Sequence, residues 1–183
     1  MKDKVLYDAN WITLYQNDKD FVYAQRKNKN SVACLCFKKI NNEYQLLIHY
    51  QPILSVYEDD KEKNIPCLVT GSLEDNETYL YTAQRELEEE LGVIEPYDLV
   101  PIVTYRFIPT TQMNEIVTLY IFDVTNKEIT TPKTDGSYYE LISENKWYKE
   151  DEFSEIIFNQ KELALSCLVI SYTLFQKYIK GKK

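Results

Sequence analysis

The stretch G71-SLEDNETYLYTAQRELEEELG-V93 decides how this chain is built. Leu80, Ala83, Leu87 and Leu91 recur at spacings of three and four, which makes one apolar stripe of a helix. Glu86, Glu89 and Glu90 fall on a different face, within about one turn of each other. Like charges so placed repel, and each pair costs the helix a few tenths of a kcal/mol unless something neutralises it. A divalent cation does so, and all-oxygen ligands suit magnesium, manganese or calcium better than zinc. Magnesium keeps several waters and binds through one or two carboxylates plus substrate phosphates, so the site is expected to be completed by a phosphate-bearing substrate. An EEE run alone reads as solvated surface. Here glycines at 71 and 92 bracket the helix, where the chain has to turn.

Gly71, Glu77, Arg85, Glu86, apolar Leu87, Glu89, Glu90, Gly92 and apolar Val93 stand at the offsets of the Nudix box at every specified position. A chance match at a given start has odds on the order of one in a billion. The chain therefore resembles the Nudix hydrolases, which split phosphoanhydride bonds in nucleoside diphosphates carrying a further group. The resemblance implies that loop, helix and second loop form one unit and that Arg85 orients the acidic cluster. It also implies metal ligation by Glu86, Glu89, Glu90 and the backbone carbonyl of Thr70, with Mg2+ as the cofactor and Mn2+ as a substitute. Glu77 matches the family's first glutamate, whose role is supportive rather than ligating.

The 183 residues suffice for one well-buried domain with a small accessory segment. A hydrophobic content of 44% and an aromatic content of 14% argue against disorder. No apolar run reaches the roughly 18 residues a bilayer demands, and the start MKDKVLYDAN does not read as a secretory signal. A cytoplasmic protein without membrane partners is expected. The net charge of −8 disfavours nucleic-acid backbones, so a small anionic substrate must be met by local cations and metal. Cys34, Cys36, Cys67 and Cys167 offer no CxxC spacing and read as core thiols. His49, the one histidine, sits in the strand-like LLIHY and reads as structural, which disfavours a histidine-based triad.

WITLYQ and FVYAQR read as an N-terminal hairpin, and SVACLCF with YQLLIHY as a second one. IPCLVTG is expected to be a short strand running into the box, with LVPIVTYRF and IVTLYIFDV as strands beyond the helix. A short strand near Lys146–Tyr148 and a mostly buried helix from about Gln160 to Tyr178 complete the pattern. Strands interleaved with two helices predict an α/β domain with helices on both faces of a mixed sheet. The resemblance implies the same α/β/α sandwich, with residues 31–183 as the hydrolase domain and 1–30 as a separate β segment.

Within the family the flanks look most like ADP-ribose pyrophosphatases. Shared features are the N-terminal β segment, HYQP at His49 to Pro52, LVTG at Leu68 to Gly71, and Pro109, sixteen residues past the box. Two departures stand out. Gln51 replaces the arginine the family commonly offers to phosphate, and Cys67 replaces a common glutamate. The resemblance implies cleavage of ADP-ribose to AMP and ribose 5-phosphate, or of another nucleotide sugar. A base is implied in the loop before the last strand, with Glu140 and Glu144 as candidates, while Gln51, Pro109 and Glu115 are candidates for substrate contact. Tyr57, Tyr105 and Phe107 are candidates to stack on the base. The aromatic segment from Val5 to Gln25 is expected to pack across a homodimer, because a lone hairpin is marginal in water. The competing readings are a hydrolase of damaged nucleoside triphosphates or dinucleoside polyphosphates, and a nucleotide sensor without turnover.

Overall fold

The computed structural model describes residues 3–53, 55, 64–132, 142–159 and 163–181. Strands β1 (Lys4–Asp8), β2 (Ile12–Gln16) and β3 (Val22–Arg26) form a small antiparallel sheet, one strand larger than the expected hairpin. It docks on the same chain: Ala24 N–H donates to the Gln112 carbonyl at 2.7 Å, and Asn114 N–H to the Ala24 carbonyl at 2.8 Å.

β4 (Ser31–Ile40) and β5 (Glu43–Pro52) follow as a hairpin whose turn residues, Asn41 and Asn42, have φ of 50° and 67°. A two-residue turn of this hand requires positive φ, and asparagine tolerates it. The two strands pair only from Phe37↔Leu46 to Ile40↔Glu43 and then splay apart. The opening is filled by β6 (Asn64–Cys67), which pairs with β5, and β7 (Val69–Ser72), which pairs with β4. IPCLVTG is thus two strands and not one, because the chain changes partner at Leu68. β8 (Val103–Phe107) lies antiparallel on β9 (Val117–Asp123), β9 runs parallel to β4, and β10 (Glu144–Lys149) closes the other edge on β5. The sheet is therefore mixed.

Side-chain alternation along β4 divides the core in two. Val32, Cys34 and Cys36 pack with Ala83, Leu87 and Leu91 of α1 (Tyr79–Glu89) and its C-terminal flank. Ala33, Leu35 and Phe37 pack on the opposite face with α2 (Glu150–Phe158) and α3 (Ser166–Phe175). The expected α/β/α sandwich results.

α2 has no counterpart in the periodicity of the sequence. It buries only Phe153 and Ile157, too short a stripe to register as a period, although its start is written in Glu150, Asp151 and Glu152, acids that suit a helix N-terminus. α3 begins at Ser166 and not near Gln160, since Leu165 is extended and spends its N–H on the Pro66 carbonyl of β6, 3.2 Å away. No helix among the described residues is long and apolar enough to cross a membrane.

Candidate active site

The helix that carries the acids is set by the residues before it. Thr78 caps α1, its Oγ1 accepting from Tyr81 N–H at 3.2 Å. Glu77 gathers the loop onto the helix: its Oε2 accepts from Glu74 N–H and Thr82 Oγ1, and its Oε1 from Arg85 Nε at 3.0 Å. Burial opposes the charge on Glu77, yet the hydrogen bonds from Arg85, Thr82 and Glu74 hold its pKa below the ordinary value. Arg85 then presents Nη1 to Glu86 Oε1 at 2.8 Å and to Glu89 Oε2 at 2.7 Å. Burial alone would lower the arginine's pKa, but its bonds to Glu77 and Glu89 and the charge of Glu86 raise it. One guanidinium thus orients two of the three acids.

Glu86 is buried, and its pKa is raised to about 7, by burial first and then by Glu89 and Glu77, against the opposing pull of Arg85. Its carboxylate lies where a side chain at Gly71 would be: a Cβ there would sit 2.0 Å from Oε1. Glu90 caps the helix C-terminus and accepts from Thr70 N–H at 3.2 Å, which places β7 directly against the third acid. Among the described residues no three acidic, cysteine or histidine side chains converge at metal-binding distance, because Arg85 draws Glu86 and Glu89 to itself. The donors are nonetheless oxygens of three carboxylates served by one arginine, a set that fits a hard divalent cation.

The raised pKa of Glu86 carries a stability signature. Unfolded, it titrates near the ordinary 4.5, and folded at about 7, so the folded state holds the extra proton between those values. Its stabilising contribution is complete below about pH 4.5 and disappears as pH rises through 7. The melting temperature of metal-free protein is expected to fall across that window, and Glu86→Gln to flatten the fall. An unchanged profile in the variant would remove Glu86 as the cause.

Beside Thr70 and Glu90 opens a cleft of about 710 Å³. Gln51, Pro109 and Glu115 all line it, so the three side chains expected to contact substrate besides the stacking aromatics are brought together. The stacking candidate Tyr57 and the base candidate Glu140 lie outside the described residues. Glu144 is not brought to the cleft: it is exposed at the start of β10 and pairs with Lys146 at 2.7 Å. Of the aromatic candidates Phe107 lines the cleft, while Tyr105, its neighbour but one on β8, is exposed and does not.

Arg26 is not among the residues that the sequence pattern singles out. At the end of β3 it enters the cleft, ion-paired with Glu115 through Nη2 and bonded to Ser72 Oγ at 3.3 Å, with its Nε buried and unpartnered. Ser31 Oγ donates to the same Glu115 oxygen at 2.6 Å. A signal was available. The chain has three arginines, Arg26, Arg85 and Arg106, and with Gln51 neutral a phosphate-binding guanidinium had to come from one outside the box. Arg106 lies over the ring of Tyr79 instead.

A family model, the NUDIX domain, matches residues 11–166. The chain belongs to the Nudix family. This Nudix hydrolase shares its fold with a solved ADP compounds hydrolase, similar over 100% of this chain and 94% of that one, with a TM-score of 0.65 and 13% identity. A Listeria monocytogenes protein solved as a NUDIX hydrolase is similar over 82% of this chain and 94% of its own, with a TM-score of 0.55 and 20% identity. No curated protein matches the chain. Nudix enzymes act on small nucleotide substrates and generally use divalent metal ions.

Proposed function

We propose that this Nudix hydrolase cleaves the pyrophosphate bond of a nucleoside diphosphate derivative, ADP-ribose foremost, in the cytoplasm. The observation that carries this reading is that Arg26 and Glu90 line one nucleotide-sized cleft: a guanidinium suited to phosphate shares a cavity with a member of the acidic cluster, in a protein of net charge −8. Magnesium, or manganese in its place, would be held by Glu86, Glu89, Glu90 and the Thr70 carbonyl, and when bound supplies a polarised phosphorus centre and an acidified water. Arg26 exchanges Glu115 for a substrate phosphate, a charge-assisted contact. Glu115, released from Arg26, is the described cleft carboxylate besides Glu90 and accepts a proton, a role for which Glu140 is the alternative. Four free, buried cysteines suit a reducing compartment. The likeness to an ADP compounds hydrolase, which extends over the N-terminal sheet, supports the substrate class.

The test is phosphate release after phosphatase coupling, across nucleotide sugars, triphosphates and dinucleoside polyphosphates with Mg2+ and Mn2+, with product identification. AMP and ribose 5-phosphate are expected from ADP-ribose, and preferential turnover of triphosphates or dinucleoside polyphosphates would overturn the assignment. Gln51→Arg adds a second bidentate phosphate contact to the cleft and is expected to lower KM for ADP-ribose with little change in kcat, the mark of uniform binding. A change in kcat alone would contradict it.

We propose further that the protein is a two-fold homodimer. Val5 and Tyr7 of β1 and Trp11 in the bend before β2 are exposed, Trp11 to 77%, although β3 is docked on its own chain. Light scattering at micromolar concentration is expected to give twice the chain mass of 21.7 kDa, and a monomer mass would refute it.

A further inference from the structure

The C-terminal end of α1 is held from across the sheet by two residues that the proposed chemistry leaves unused. Asn145, on β10, donates from Nδ2 to the Glu90 carbonyl at 2.6 Å, satisfying an acceptor that the helix end leaves open. A carbonyl only accepts, so this bond fixes the amide's orientation and turns Oδ1 to His49, 2.9 Å from Nδ1. Oδ1 also only accepts, so His49 carries its proton on Nδ1. The other ring nitrogen, Nε2, is thereby aimed at Glu90, 3.9 Å from Oε2. His49 and Asn145 are direct cross-strand partners, and His49 is 1% exposed. Neither lines the cleft.

We propose that His49 and Asn145 act in series as positioning residues for the metal-binding carboxylate of Glu90. Asn145 clamps the main chain of Glu90, and His49, oriented by Asn145, faces Oε2 of the carboxylate, the same oxygen that accepts from Thr70 N–H. The proposal rests on the reading of Glu90 as a ligand. Partners that orient a ligating group typically account for about 10- to 100-fold in metal affinity. A pair that only supported the core would change stability and leave metal affinity alone.

The experiment measures Mn2+ binding to the full chain without substrate, from the electron paramagnetic resonance signal of the free ion, alongside thermal unfolding in chelator. His49→Leu and Asn145→Leu are each expected to raise the Kd by about 10- to 100-fold. Because the two act in series, the double variant should bind no more weakly than Asn145→Leu alone. Cys36→Ala, equally buried on β4 but facing α1 away from the cleft, is expected to lower the melting temperature with Mn2+ affinity intact. Glu90→Gln tests the underlying reading: if it binds Mn2+ like the parent, Glu90 is no ligand and the proposal falls with that reading. If Glu90→Gln loses binding while both leucine variants keep parental affinity, the ligand stands and the positioning role is overturned. Should the leucine variants fail to fold, Asn145→Ser, too short to reach the Glu90 carbonyl, is read by the same two outcomes.

Discussion

Replacing Glu90 with glutamine is expected to lower kcat by about three orders of magnitude, roughly 4 kcal/mol of transition-state stabilisation. The same variant, freed of metal, should melt at the parental temperature or above it. Both halves follow from the surroundings of the side chain. A glutamine oxygen still accepts from Thr70 N–H, so the contact between β7 and the helix end is retained. What disappears is one negative charge from a cluster in which Arg85 already serves Glu86 and Glu89. A loss of turnover with no loss of stability separates a metal ligand from a structural acid, which would show the reverse. Turnover at the parental level in saturating magnesium would mean that the site lies elsewhere.

The acidic helix was legible because its chemistry is local. Leu80, Ala83, Leu87 and Leu91 show the buried face directly, and the spacing of Arg85 and Glu89 is that of helical neighbours, which the structure finds 2.7 Å apart. The mixed sheet was legible for a related reason. β4 is buried on both faces, and seven apolar or small residues in succession leave few alternatives to a central strand. The cleft was less legible, since its walls come from segments far apart in sequence. Arg26 meets Glu115 across 89 positions, and only the docking of β3 on residues 112–114 brings them together. The N-terminal segment reads as a dimerisation element because its aromatic composition is visible, whereas the reach of Arg26 to Glu115 is not. His49 shows the same limit. An apolar strand context marks it as core, and it is core, but the neighbour that gives its position meaning lies on β10, 96 residues away.

The glycine before the helix should behave unlike the glycine after it. At Gly71 an added Cβ would lie 2.0 to 2.3 Å from Oε1, Cδ and Cγ of Glu86, all atoms of one flexible side chain. Gly71→Ala therefore leaves the backbone in place and drives the carboxylate out of its slot. Stability should change by less than about 1 kcal/mol, helped by the reduced freedom of the unfolded chain, while kcat falls by roughly two to three orders of magnitude as a ligand is misplaced. At Gly92, φ is 78° and an added Cβ would meet the Thr130 carbonyl oxygen at 2.2 Å, so backbone must move against backbone. Gly92→Ala should cost about 2–3 kcal/mol of stability and leave the folded fraction far more active than Gly71→Ala. Denaturant unfolding and kcat at a temperature where both variants are folded make the comparison. If Gly71→Ala keeps parental turnover, Glu86 does not work from beneath β7, and the place of the cluster in the fold must be redrawn.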